Sequence, residues 1–120
     1  MERDDWRERL GALPAQELAG GLVVHEARGL RARRRGLAGL EDLDPGHALR
    51  IGCCRAVHTF GMRFAIDLVW LARDGAVVRV DAEVPPLRHR WCRRAAAVVE
   101  TRGGESARFL AAGLGYTPRR

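Results

Sequence analysis

A six-residue segment, Ile66-Asp67-Leu68-Val69-Trp70-Leu71, restricts the fold more than any other feature, because five of its six residues are apolar. Short apolar runs of this kind are typical of a central strand that is covered on both faces. Arg73-Asp74-Gly75-Ala76 follows, and an Asp-Gly pair is a strong signal for a hairpin turn. The return strand alternates apolar with charged residues, which predicts one buried face formed by Val78, Val80, Ala82 and Val84.

β-branched and other apolar residues cluster in four further segments, which we expect to be strands: residues 22–27, 48–54, 57–60 and 95–101. Turns separate these segments, since Asp44-Pro45-Gly46 has turn chemistry and Pro85-Pro86 cannot donate to a strand ladder. Residues 87–94 are rich in arginine and are expected to form a basic loop.

Helical spacing of apolar residues occurs in three places. A short helix that ends before Pro14 would place on one face Trp6, Leu10 and Leu13. A second helix, over residues 30–40, would bury Leu30, Leu37 and Leu40. A third, over residues 105–112 with Gly113 as its stop, would turn inward Ala107, Leu110 and Ala111.

The chain of 120 residues has the length of one domain, and its net charge is +6. All 21 of its basic residues are arginine, whose planar fork suits phosphate and carboxylate, although the codon bias of a GC-rich genome would give the same count. Cys53, Cys54 and Cys92 are an odd number of cysteines, and the acidic start after Met1 is unlike a secretory signal. We therefore expect a cytoplasmic protein with reduced thiols and no membrane segment.

Several segments, taken in their order along the chain, resemble the DUF192 family of uncharacterised small domains. They are the first strand, Arg35-Gly36-Leu37, the run from Cys54 to Asp67, the hairpin that follows it, Pro85-Pro86 and the last helix. Ala65 stands where the family would be expected to have proline. The resemblance divides the chain into an N-terminal extension at 1–21, a domain at 22–114 and a C-terminal tail at 115–120.

The resemblance implies a mainly β (α+β) fold, a compact antiparallel β sandwich or barrel-like sheet with one or two packed helices. It implies no catalytic residue, and we expect no cofactor.

The densest group of chemically capable residues is His58, Thr59, Met62, Arg63 and Asp67, which are the candidate binding residues. A histidine oriented by a carboxylate could serve as a general base, so His58 and Asp67 are the candidate catalytic pair. A buried pair that fixes a turn would have the same sequence signature, and this structural alternative stays open beside the catalytic one.

Cys54, His58 and Cys92, with Cys53, are weak candidates for metal ligands. Zinc sites usually use cysteines separated by two to four residues, whereas adjacent cysteines on a strand point to opposite faces. Burial as small apolar side chains explains these cysteines more simply.

Two basic clusters, residues 31–35 and 88–94, suggest an anion or nucleic-acid binder, and His89 and Trp91 lie within the second. No nucleic-acid module is recognisable, so nucleic acid is not the expected partner. The sequence favours a small binding or accessory module for an unknown ligand or protein. The alternatives are a hydrolytic or transfer enzyme using His58 and Asp67, and an arginine-driven anion or nucleic-acid binder.

Overall fold

A computed structural model describes residues 5–115 of the protein. Within that range it contains three α-helices: α1 (Trp6–Gly11), α2 (Gly29–Arg35) and α3 (Ser106–Ala111). Its eight strands are β1 (Ala15–Glu17), β2 (Val23–Glu26), β3 (His47–Gly52), β4 (Ala56–His58), β5 (Ile66–Leu71), β6 (Val77–Val84), β7 (His89–Trp91) and β8 (Ala97–Arg102). The fold is mainly β, as the sequence predicts, and none of the described helices is long and apolar enough to cross a membrane.

Six of the strands form one sheet in the order β1-β2-β3-β8-β5-β6, and β4 pairs with β7 in a separate two-stranded sheet. All neighbouring pairs are antiparallel except β2 and β3, which run parallel. Every residue of β5 is buried, which confirms that the apolar run is a covered inner strand. The Asp-Gly hairpin is also present, with the amide of Ala76 donating to Asp74 Oδ1 at 3.0 Å.

The large sheet has an apolar core on each face, and β5 contributes to both because its side chains alternate. Leu68 and Trp70 belong to the larger core, which also contains Leu10 of α1 and the leucines that follow α2. Val69 packs on the opposite face with Phe109 of α3. The helices and the small sheet therefore cover the two sides of one central sheet.

The chain before residue 22 contributes to this architecture. The predicted first helix is present as α1, and its Leu10 is only 1% exposed. β1 pairs with β2 at the edge of the large sheet. The division into an extension, a domain and a tail stays a prediction, and residues 116–120 of the tail lie outside the described part of the chain.

The predicted helix over residues 30–40 is wrong beyond Arg35. Gly36 has a φ of +55°, which ends the helix, and Leu37 and Leu40 are buried by the loop that follows. Leu30, expected to be buried, is 63% exposed. The leucine spacing therefore predicts the burial of Leu37 and Leu40 correctly, but both residues lie in a loop and not in a helix.

Three other expectations need correction. Val80 and Ala82 of β6 are exposed, because irregular pairing with β5 and a positive φ at Glu83 shift the strand register. Residues 87–94 are not all loop, since they contain β7. In α3 the buried residues are Ser106 and Phe109, whereas two of the expected ones are exposed: Ala107 and Ala111.

Candidate functional site

A cavity of about 550 Å³ opens between α2 and the small sheet. Its floor is formed by side chains of the large sheet, including Ile51 of β3 and Glu100 of β8. Three arginines and a glycine line its α2 side: Arg33, Arg34, Arg35 and Gly36. The opposite wall is formed by Cys54, Ala56, Val57, His58 and Met62. Its volume lies within the range of natural ligand pockets.

Glu100 is the most unusual group of this cavity, because it is a carboxylic acid in the centre of the sheet with only 1% of its surface exposed. Burial raises its pKa to about 7, although a backbone hydrogen bond from Leu37 and the charge of Arg9 act in the opposite direction. The Leu37 amide donates to Glu100 Oε1 at 3.2 Å. Near neutral pH the side chain is therefore present in both its protonated and its ionised form.

Arg9 of α1 holds the loop after α2 in its position beside Glu100. The Arg9 guanidinium donates from Nη1 to the Ala38 carbonyl at 2.6 Å and from Nη2 to the Gly36 carbonyl at 2.7 Å. Both of these carbonyls belong to the tight loop created by the positive φ of Gly36. Helix α1 thus fixes the segment that brings the Leu37 amide to the buried acid.

The arginines on the α2 side of the cavity differ in their surroundings. Arg33 is exposed, and its Nη2 donates to the carbonyls of Gly52 and Cys53 at 3.1 and 3.4 Å. Arg34 is also exposed, whereas Arg35 is half-buried. Since arginine stays protonated at all ordinary pH values, this side of the cavity is positively charged.

Two of the predicted site residues, His58 and Met62, lie on the wall opposite α2, and so does Cys54. The Cys54 thiol donates to the Ala56 carbonyl at 3.2 Å. Burial is the main cause that raises its pKa, which keeps the sulfur protonated and weakly nucleophilic. His58 is exposed and contacts the ring of Phe60.

Asp67 does not line this cavity. It is 1% exposed, and its carboxylate accepts hydrogen bonds from the backbone amides of Glu83, Gly104 and Ser106 at 2.8–2.9 Å. Burial acts to raise its pKa, but hydrogen bonds from Ser106 and the other two amides outweigh burial and hold the pKa below its usual value. Among residues 5–115, no hydrogen bond or ion pair joins Asp67 to His58.

Thr59 and Arg63 also lie away from the cavity wall. Thr59 is fully buried, and its hydroxyl donates to the Pro85 carbonyl at 2.7 Å and accepts from the Arg88 amide at 2.8 Å. It therefore joins the end of β4 to the segment before β7. Arg63 is exposed and forms a long ion pair with Glu41, at 3.9 Å.

The cysteines are all free thiols in different environments. Cys53 is exposed, Cys54 is half-buried at the cavity, and Cys92 lies in the larger core. Within the described part of the chain, no group of three or more histidine, cysteine, aspartate or glutamate side chains is arranged to hold a metal ion.

Sequence reasoning missed Glu100, which lies in the apolar run Ala95-Ala96-Ala97-Val98-Val99-Glu100. The available signal for Glu100 was a single carboxylate at an inward position of a covered strand. Burying an unpaired charge is unfavourable, so such a residue indicates a special environment. The role of Arg9 had no such signal, since its bonds to Gly36 and Ala38 depend on how α1 packs.

The family model for DUF192, described as "Uncharacterized ACR", matches residues 16–113. The chain belongs to the DUF192 family. Comparison with curated proteins gives no match for this DUF192 chain.

Two solved structures resemble this DUF192 domain. One, from Sinorhizobium meliloti 1021, has been given a proposed role as a transcription regulator; it is 20% identical, with a TM-score of 0.66 over 84% of this chain and 86% of the other. The second, a protein of unknown function from Novosphingobium aromaticivorans DSM 12444, is 17% identical, with a TM-score of 0.64 over 98% and 96%. At these identities the likeness concerns the fold alone.

Proposed function

We propose that this DUF192 domain is a binding module that takes a small anionic molecule into the cavity between α2 and β4. The observation that carries the proposal is the buried Glu100 carboxyl at the floor of a cavity with three arginines on one side. A polar group with this little exposure is unfavourable unless it has a partner. The Leu37 amide satisfies one oxygen, Oε1, and a ligand could bind at the other.

The charges support an anionic ligand with oxygen atoms. The guanidinium groups of the α2 side match carboxylate and phosphate oxygens in geometry and charge. A protonated Glu100 could donate a hydrogen bond to such an oxygen, whereas an ionised Glu100 would repel it. Because the pKa of Glu100 is about 7, we expect anion affinity to fall as the pH rises through neutrality.

The enzymatic alternative, with His58 and Asp67 acting together, remains a prediction that receives less support, because the Asp67 carboxylate is committed to three backbone amides. The predicted cytoplasmic location is kept as part of the proposal, and it is supported by the free thiols of Cys53, Cys54 and Cys92.

Two-dimensional amide NMR tests the proposal with a small panel of probes: benzoate, phenyl phosphate and inorganic phosphate, with benzamide and phenol as uncharged controls. The anions should shift the amide signals of Leu37, Cys54 and His58, and the uncharged compounds should not. Arg34→Gln should weaken these shifts, whereas Arg108→Gln on α3, across the sheet, should leave them unchanged. Shifts that are scattered over the surface, or equal for the uncharged probes, would reject the cavity as an anion site.

A further inference from the structure

The outer surface of the small sheet carries an aromatic patch. In the β4–β7 pairing, Ala56 is opposite Trp91, and His58 is opposite His89. The ring centroids of His58 and Phe60, which lies in the turn after β4, are 5.3 Å apart, and those of His89 and Trp91 on β7 are 5.4 Å apart, so the face presents two pairs of neighbouring rings. We call His58, Phe60, His89 and Trp91 the β4–β7 aromatic face.

These rings are open to solvent although they are large. Phe60 is 54% exposed and Trp91 is 60% exposed, and Leu87, beside β7, is 68% exposed. Single exposed apolar side chains are ordinary, but a contiguous group is a mark of an interaction site. The other two rings of the face, His58 and His89, are exposed as well.

The backbone beneath the aromatic face is firmly held. Val57, between His58 and Ala56, is buried in the larger core, and the Thr59 hydroxyl bonds to the segment before β7. At the other end, Arg79 Nη2 donates to the Trp91 carbonyl at 2.7 Å. The rings are therefore presented on a fixed support, which lowers the entropy lost on binding.

The surroundings of the face are basic. Four exposed arginines adjoin the two strands in sequence, and within residues 5–115 they form no ion pair: Arg55, Arg88, Arg93 and Arg94. Arg90, within β7, is opposite the buried Val57 and so points to the other side of the small sheet, away from the rings. These unpaired charges favour a polyanion as the partner, in agreement with the net charge of +6.

We propose that the β4–β7 aromatic face binds single-stranded nucleic acid, by stacking bases on its rings while the adjacent arginines contact the phosphates. Exposed rings beside fixed positive charge are the combination that single-stranded nucleic acid requires. Within each pair the ring centroids are only 5.3–5.4 Å apart, so the two rings of a pair together offer one surface on which a base can stack. A duplex keeps its bases stacked internally and could use only the arginines.

This proposal is independent of the anion site, apart from His58, which lies at both. Fluorescence anisotropy tests the proposal that the aromatic face binds single strands. The probes are fluorescein-labelled 12-nucleotide single-stranded RNA and DNA of mixed sequence. We expect the single strands to bind more tightly than the matching duplex. Raising the salt from 50 to 200 mM should weaken binding about 20- to 50-fold for three or four phosphate contacts.

The decisive comparison uses ring substitutions. Trp91→Ala and Phe60→Ala should each weaken single-strand binding about 5- to 150-fold, the range for loss of one stacked base. Trp91→Phe should retain most of the affinity because it keeps a ring. Leu30→Ala is the matched control, since Leu30 is equally exposed but lies on α2, away from the face, and it should have no effect.

Three results would overturn the proposal. One is the absence of binding to single strands at 100 µM protein in 50 mM salt. Another is that duplex and single strands bind equally well and that Trp91→Ala changes neither affinity. This result would show that the phosphates are attracted to the arginines without any stacking on the rings. The third is concentration-dependent self-association that Trp91→Ala abolishes, which would make the face a contact between copies of this chain.

Discussion

Gly36 and Glu100 are in direct contact: a β-carbon added to Gly36 would lie 2.7 Å from Glu100 Oε1 and 3.3 Å from its carboxyl carbon. Gly36 also has a φ of +55°, which residues with a side chain rarely adopt. The loop after α2 can therefore approach the buried acid only because residue 36 lacks a side chain. This contact brings the Leu37 amide within hydrogen-bonding distance of Glu100.

Gly36→Ala should destabilise the protein by about 2–4 kcal/mol, the combined effect of a strained φ and of overpacking against Glu100. Urea unfolding measures this change. Gly29→Ala is the matched control, because Gly29 has a φ of +83° and no atom within 4 Å of an added β-carbon, so it should lose only the strain contribution. In a Glu100→Ala background, Gly36→Ala should be less destabilising; an unchanged effect would show that the contact does not matter.

Glu100 should make stability fall as pH rises. Its folded pKa, about 7, is above the usual value of 4.5, so between these values the unfolded chain releases a proton that the folded protein retains. The contribution is fully present below pH 4.5 and is lost as the pH rises through 7. It amounts to roughly 3 kcal/mol at most.

Urea unfolding of the wild type and of Glu100→Gln between pH 4.5 and 8 measures the contribution of Glu100 to the pH dependence of stability. Glutamine serves as the reference because it cannot titrate. The difference between the two proteins isolates Glu100 from the other groups that titrate in this range. We expect Glu100→Gln to gain stability relative to the wild type as the pH rises. A constant difference across the range would mean that Glu100 has an ordinary pKa.

The sequence predicts the sheet strands well because their signals are local. The apolar run of β5 and the Asp-Gly turn after it depend on neighbouring residues, and both are confirmed. The alternation predicted for β6 is wrong at Val80 and Ala82, because the pairing of β6 with β5 is irregular at two points and Glu83 has a positive φ. Pairing of that kind has no signal within β6 itself.

The candidate site was predicted only in part, for a similar reason. His58 and Met62 lie on the cavity wall, yet the acid at its floor comes from β8 and its supporting arginine from α1. Spacing along the chain cannot bring Arg9, Gly36 and Glu100 together, because tertiary packing does so. The sequence pairs Asp67 with His58, but its carboxylate bonds instead to three backbone amides that lie 16 or more residues away along the chain.

Asp67→Asn should destabilise the protein by about 2–3 kcal/mol, since an asparagine side chain has one acceptor oxygen for three backbone amides and loses the charge that strengthens these bonds. Because the folded pKa of Asp67 is lowered, its contribution is present above the unfolded pKa and is lost as the pH falls through the folded value. Thermal unfolding at pH 3 and pH 7 measures both effects.

The same variant separates the structural role of Asp67 from a catalytic one. Asp67→Asn should leave the NMR shifts caused by phenyl phosphate at Leu37 and Cys54 unchanged at temperatures where the protein is folded. Thr101→Val, a buried change on the neighbouring β8, serves as a stability control. If Asp67→Asn kept full stability but lost ligand binding, the structural assignment would be wrong.

His25 should make the attachment of α1 sensitive to acid. His25 Nε2 and His47 Nδ1 share a hydrogen bond of 2.8 Å, and the His47 ring lies 4.5 Å from that of Trp6 in α1. Burial, followed by the charge of His47, lowers the pKa of His25. Its contribution to stability is therefore present above the unfolded pKa, about 6.5, and is lost as the pH falls below it.

Hydrogen exchange of the Arg9 and Leu10 amides, followed between pH 5 and 7.5 and corrected for intrinsic rates, measures how firmly α1 is held. Protection should decrease on the acid side, because protonation of His25 places a positive charge at a site where burial disfavours it. His25→Gln should remove most of this pH dependence, whereas His58→Gln, on the exposed small sheet, should retain it. Protection of α1 that is independent of pH in the wild type would show that the histidine pair does not fasten this helix.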